Sequence, residues 1–189
     1  MPDLFETKRL IIKSPNDVSA EERLRYYLKN RSFFERYTPG RVDEYYTVES
    51  QEKALEAEIA RREKRLAVSY YYSLKEEPET IIGTVSFASI REDPYSSTVF
   101  GYDQDEDKQG MGYCTEACIA SMKDFLGRVP LHRIEARVLP ENEKSIHILE
   151  HLGFLPEGTE KASILIENEY RDHIRYALTG IDERTLKKL

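Results

Sequence analysis

The sequence predicts a single mixed α/β (α+β) domain, a sheet with helices against its faces, and three observations carry that reading. Strand-like runs alternate with helical patterns in the order strand, two helices, three strands, helix, strand, helix, strands. The 189 residues suit one domain, 1–189, with enough chain to bury a substantial core. A glycine-rich turn, Gly110, Met111, Gly112, falls where a strand hands over to a helix.

The elements are expected in order. Leu4 to Lys13 reads as a first strand, with Leu10, Ile11 and Ile12 buried and Ser14 and Pro15 as its stop. Ser19, Ala20, Glu21 and Glu22 start a helix before Leu24, Tyr27 and Leu28. A second helix, Val48 to Arg62, carries Leu55, Ile59 and Ala60 on one face, after a loop rich in Tyr37, Pro39, Gly40, Tyr45 and Tyr46. Leu66 to Leu74, Thr80 to Ile90 and Ser97 to Asp103 form a meander, its first two strands joined by the charged Lys75 to Glu79. Gly112 to Leu126 is a helix, His132 to Val138 a strand and Asn142 to Leu152 a helix. Strands near Ser163 to Glu167 and Tyr170 to Thr179 close the sheet.

Composition excludes several classes. With 40% apolar and 33% charged residues the chain is neither disordered nor built for lipid. A formal charge of -7 argues against a nucleic-acid coat and suits a cationic or amine substrate better. Met1 to Leu10 is broken by Asp3, Glu6, Lys8 and Arg9, so no secretory signal is expected, and no run reaches membrane-spanning length. Two cysteines, Cys114 and Cys118, make neither a disulfide framework nor a zinc site; they are expected buried, and a cytoplasmic location follows by default.

The glycine turn admits a specific chemistry. A helix start offers unpaired N–H groups and a partial positive charge, and glycines let a ligand approach the backbone, so an anion such as pyrophosphate fits there. By itself a Gly-x-Gly before a helix is more often just a tight connection. It is no Walker loop, because no Gly-Lys-Ser or Gly-Lys-Thr follows, and the third glycine of a dinucleotide fingerprint is missing. Upstream, Asp103, Asp105, Glu106 and Asp107 read as a solvated acidic loop.

Three segments together resemble the GNAT superfamily of N-acetyltransferases, in its RimJ/RimL-like branch, over nearly the whole chain. They are Phe5 to Ile11; Gln109 to Ala117; and Asn142, Ser145, Leu149 with Leu152, Gly153 and Phe154. Arg171 to Tyr176 resembles the family's last long strand. The resemblance implies a mostly antiparallel sheet with helices on both faces, acetyl-CoA as cosubstrate, no metal, and a protein N-terminal α-amine or small amine as acceptor. It departs at Asp107, where the family pattern places Gln or Arg.

The resemblance also implies roles. Tyr102, Gln104, Gln109, Gly110, Met111, Gly112, Tyr113 and Asn142 would bind the donor, with pantetheine along a strand ending at Gly101, Tyr102 and Asp103 that splays from its neighbour. Ser145 would protonate the leaving sulfur; apart from the resemblance, Asp103 is the nearest candidate base by sequence, with a solvent-facing side chain as the equal alternative. Spacing alone leaves Asn142 and Ser145 as helix-capping residues. Phe33, Phe34 and Tyr37 would line the acceptor site, with core packing as the equal alternative. The alternative function is a non-catalytic CoA-binding sensor or interaction module; a homodimer is the default assembly.

The remaining candidates read as structural. His147 and His151 have metal-ligand spacing but lack further ligands, His132 opens a strand, and His173 is expected to pack within one. Tyr70, Tyr71 and Tyr72 alternate across a strand, so at most one face reaches substrate.

Overall fold

The computed structural model describes residues 4–181. They build one eight-stranded sheet in the order β1-β2-β3-β4-β5-β6-β8-β7, with β1 Leu4–Glu6, β2 Leu10–Lys13, β3 Val68–Leu74, β4 Glu77–Arg91, β5 Ser97–Gln104, β6 Arg133–Val138, β7 Leu155–Ile166 and β8 Glu169–Thr179. Five helices complete it: α1 Ala20–Lys29, α2 Arg31–Phe34, α3 Val48–Glu63, α4 Tyr113–Leu126 and α5 Glu143–His151. Every pairing is antiparallel except β5 with β6.

Both faces of the sheet are buried around β3. Tyr70 and Tyr72 belong to the core beneath α4, whereas Tyr71 belongs to the cluster under α1 and α3. All three rings are buried, so neither face of this strand reaches the cleft. Phe87 stacks on Phe125 of α4 at 4.0 Å and 7°, and Phe100 stacks on Phe154 at 5.7 Å. Gly83 serves close approach: a Cβ there would sit 2.1 Å from the Tyr72 ring. That passage brings the Tyr72 hydroxyl to the Asp103 carbonyl at 3.3 Å and to Gln104 Oε1 at 3.2 Å.

The helix starts follow their side chains. Ser19 and Glu22 close a capping box on α1, and Thr47 caps α3. The buried face of α1 differs from the expected one. Tyr27 is buried as expected, but Leu28 is exposed and Arg23 and Tyr26 are buried beside Tyr27; Arg23 Nε donates to the Tyr71 hydroxyl at 2.7 Å and Nη2 to Glu58 at 3.0 Å. A buried guanidinium is tolerated when its donors are filled.

Three boundaries also differ. The expected strand Leu4 to Lys13 is a hairpin, turned by Thr7, whose N–H donates to the Leu10 carbonyl at 2.9 Å and whose Oγ1 accepts from Leu10 N at 2.9 Å. The expected connection Lys75 to Glu79 is mostly the start of β4. The late strand near Ser163 begins at Leu155; Pro156 and Gly158 lie at a register shift, and the strand is largely exposed, so it lacks the usual alternation.

Candidate active site

The site begins where β5 and β6 part. These strands are paired only at Ser97 with Arg133, Thr98 with Ile134 and Val99 with Glu135, whereas β5 stays paired with β4 as far as Gln104. From Gly101 onward the β6-facing edge of β5 is open backbone, a ladder of hydrogen-bonding groups available to a ligand. Two connected cavities fill the opening. One of about 300 Å³ is lined by Thr84, Ser86, Gly101, Asp103, Arg137 and His173, among others. The other, about 460 Å³, runs past Tyr102, Asn142, Ser145 and Lys144 to Gly110, Gly112 and Thr115. Tyr37, Tyr102, Asp103, Asn142 and Ser145 line both.

Successive residues of a strand face opposite sides, and here that separates two chemical functions. Tyr102 points toward α5: its hydroxyl lies 2.8 Å from Ser145 Oγ and donates to the Ser145 carbonyl at 3.0 Å. Burial raises the Tyr102 phenol, so it stays protonated. Asp103 points the other way, toward α1. Its Oδ1 accepts from the Tyr26 hydroxyl and, at 2.9 Å, from Thr84 Oγ1. Burial pushes the Asp103 carboxyl above its ordinary value, although those two hydrogen bonds and the nearby Arg41 and Arg23 pull it back. Burial and the same carboxylate also keep the Tyr26 hydroxyl protonated.

The glycine turn has the backbone an anion site requires. Gly110 has φ +74° and Gly112 φ +76°, left-handed values that side chains disfavour, and Gly112 is the N-cap of α4 with no side-chain hydrogen bond closing the helix start. Lys144 on α5 faces it across the cleft and donates to Gln109 Oε1 at 2.6 Å. The acidic run is only partly solvated, contrary to expectation. Asp105 is 2% exposed, because its side chain accepts from Asp107 N and pairs with Lys29 Nζ at 2.7 Å. Lys29 also holds Asp107 at 2.9 Å, which gives its charge a cationic partner on α1. Glu106 pairs with Arg36 at 2.9 Å.

The other expected site residues fall into distinct places. Asn142 Oδ1 accepts from Ser145 N at 3.1 Å, so it caps α5 while lining the cleft. The Gln104 side chain is engaged with Tyr72 and with the Lys108 carbonyl at 2.7 Å, bracing the loop beneath. Met111 is half exposed and lines neither cavity. Tyr113 lies under the Arg9 guanidinium, 4.5 Å from ring centroid to Cζ. Phe33, Phe34 and Tyr37 line the larger cavity, and Phe34 is also buried against Tyr26 and Tyr27.

Several lining residues escaped the sequence reading. Thr84, Ser86 and Lys144 carry no motif of their own; alternation along β4 is the signal that would have placed Thr84 and Ser86 on the Asp103 side. His173 was expected to pack in a strand, and it does so at 3% exposure while also lining the smaller cavity. Its Nδ1 lies 3.1 Å from Ser163 Oγ and 3.2 Å from the Arg171 carbonyl, which ties the ring to β7 and to its own strand. Cys114 and Cys118 are buried as expected. His147 and His151 are exposed on α5, and His147 reaches the larger cavity.

A parted strand pair, a glycine turn opening a helix and a capped helix across the cleft enclose one continuous opening. A family model described as Acetyltransferase (GNAT) domain matches residues 9–155, and the chain belongs to that family. It is 32% identical over 181 residues to the probable N-acetyltransferase YjcK of Bacillus subtilis, covering 95% of this chain and 99% of the relative. It is 31% identical over 176 residues to the [ribosomal protein uS5]-alanine N-acetyltransferase of Escherichia coli, covering 93% and 90%. The crystal structure of a ribosomal-protein-S5-alanine acetyltransferase from Vibrio fischeri superposes with TM-score 0.87 at 28% identity, covering 95% and 97%. The protein is an acetyl-CoA-dependent N-acetyltransferase of RimJ/RimL type.

Among the described residues, no helix is long and apolar enough to cross a membrane.

Proposed function

We propose that this enzyme moves the acetyl group of acetyl-CoA directly onto a protein's N-terminal α-amine, with donor and acceptor held together in the β5/β6 opening. The observation that carries this is the placement of Asp103 and the Tyr102–Ser145 pair on opposite faces of one strand end. The acceptor would enter through the smaller cavity, past Tyr37, His173 and Asp103. The donor would lie in the larger one, its pyrophosphate at Gly110 to Gly112 and its pantetheine arm along the free edge of β5 and Asn142, walled by Phe33 and Phe34.

Asp103 takes the amine's proton, directly or through water, and its raised carboxyl suits that task better than an ordinary one. The neutral nitrogen attacks the thioester carbonyl, and a backbone N–H on the open edge of β5 meets the developing oxyanion. On collapse the carbon–sulfur bond breaks. The proton still carried by the attacking nitrogen passes to Ser145 Oγ as Ser145, oriented by Tyr102, gives its own hydrogen to the thiolate. The hydroxyl is thereby restored, and the products are the amide and the CoA thiol. A thiol of pKa about 8.5 leaves readily, so a hydroxyl donor suffices.

The acceptor class follows from proton chemistry and from relatives. An α-amine titrates about 2.6 units below lysine, which saves roughly 3.5 kcal/mol of deprotonation, and one carboxylate is then an adequate base. Two of the relatives above are named for acetylating an alanine of a ribosomal protein, a residue whose only amine is the α-amine of a chain terminus. A spermidine N(1)-acetyltransferase of Escherichia coli matches only 37% of this chain, which favours the protein terminus over a small polyamine. The test is release of CoA thiol with two peptides of one sequence, one with a free α-amine, the other with a blocked N-terminus and an internal lysine. Turnover with the first alone is expected. Turnover confined to the lysine peptide would overturn the acceptor assignment, and donor binding without turnover on any amine would favour a sensor.

A further inference from the structure

The opening segment Phe5 to Ile11 has no part in the chemistry above, yet it reaches the glycine turn. Glu116, in the first turn of α4, accepts three hydrogen bonds from it: Thr7 Oγ1 at 2.6 Å and Arg9 N at 2.9 Å on Oε1, and Arg9 Nε at 2.7 Å on Oε2. Burial alone would raise the Glu116 carboxyl, but these donors outweigh it and hold the group below its ordinary value. Thus anchored, Arg9 extends Nη1 to the Met111 carbonyl at 2.8 Å, between the two glycines. Its guanidinium covers the Tyr113 ring, and Nη2 lies 3.4 Å from where a Gly112 Cβ would stand. One side chain therefore bonds Met111, covers Tyr113 and stands beside the Gly112 between them.

That contact matters because the turn does not order itself. Glycine loses more conformational freedom on ordering than any other residue, and the N-cap Gly112 has no side chain to close the helix start. N–H groups that converge on an anion bind best when already fixed. Arg9 lines neither cavity, so it acts on the turn from behind.

We propose that Arg9, held by Glu116, is a positioning residue that orders the Gly110 to Gly112 turn for the donor's pyrophosphate; this rests on the donor arrangement given above. The consequence is selective. A donor without a pyrophosphate does not feel the turn, so the loss on removing Arg9 depends on which thioester is offered.

The experiment compares Arg9→Ala with the unaltered enzyme on acetyl-CoA and on S-acetyl-pantetheine, which keeps the thioester arm but has no pyrophosphate. With acetyl-CoA, KM is expected to rise about tenfold, as for loss of a charge-assisted brace, with kcat nearly unchanged. With S-acetyl-pantetheine the two enzymes are expected to match. Equal losses on both donors, or an unchanged KM for acetyl-CoA, would overturn the proposal. Arg9→Lys keeps the charge and stem but lacks the planar fork that bridges Glu116 and Met111, and it guards against a folding failure of the alanine variant. It is expected to show the same donor-selective rise, smaller in size, and a wild-type KM would count against the brace. If the unaltered enzyme used both thioesters with equal KM, the donor arrangement itself would fail, a result separable from either variant outcome.

Discussion

Asp103 and Tyr102 are chain neighbours that the pleat of β5 turns to opposite sides, and the proposed tasks divide along that line. Asp103→Asn isolates the charge, since the amide oxygen still accepts from Tyr26 and Thr84. The folded carboxyl lies above its unfolded value of 3.8. Its contribution to stability is therefore complete below that unfolded value and is lost as pH rises through the folded one. The Asn variant is expected to melt above the unaltered enzyme at pH 7 and to lose that advantage near pH 3. Its kcat/KM should fall about 10²-fold or more, as for loss of a general base. Thermal melts at both pH values, beside acetylation rates, check this; a melting temperature below the unaltered enzyme at pH 7 would show that the carboxylate stabilises the fold.

At the scale of elements, the entrance to α4 couples local backbone to binding. Gly112→Ala forces a side chain onto φ +76°, at a cost of about 1–2 kcal/mol, which corresponds to a melting decrease of roughly 2–8 °C for a chain of this size. A rise in acetyl-CoA KM should accompany it, measured by initial rates beside the melts. This turn was legible in the sequence because glycines announce unusual backbone. So were the starts of α1 and α5, whose caps Ser19 and Asn142 lie within three residues of their partners. The hairpin at Thr7 was not. Its turn is stabilised partly by Glu116, 109 residues away, and no local pattern records such a partner. The beginning of β7 was hidden for another reason: an exposed edge strand with bulges at Pro156 and Gly158 carries no alternation to detect.

Across the whole molecule, the active site exists only because two strands stop pairing. The order of elements predicted a mixed sheet with helices on both faces, but not that β5 and β6 share three paired positions and then separate. The burial of Asp105 was equally out of reach, since Lys29 meets it from 76 residues away. Such contacts follow from topology, and only the family resemblance anticipated the splayed strand. The assembled opening holds Asp103 and the Tyr102–Ser145 pair on opposite sides of one strand end, the arrangement on which the proposed ternary complex rests. Initial rates measured while acetyl-CoA and an N-terminal peptide are varied together test this most directly. Direct attack predicts double-reciprocal lines that intersect; parallel lines, the signature of an acetylated enzyme intermediate, would contradict it.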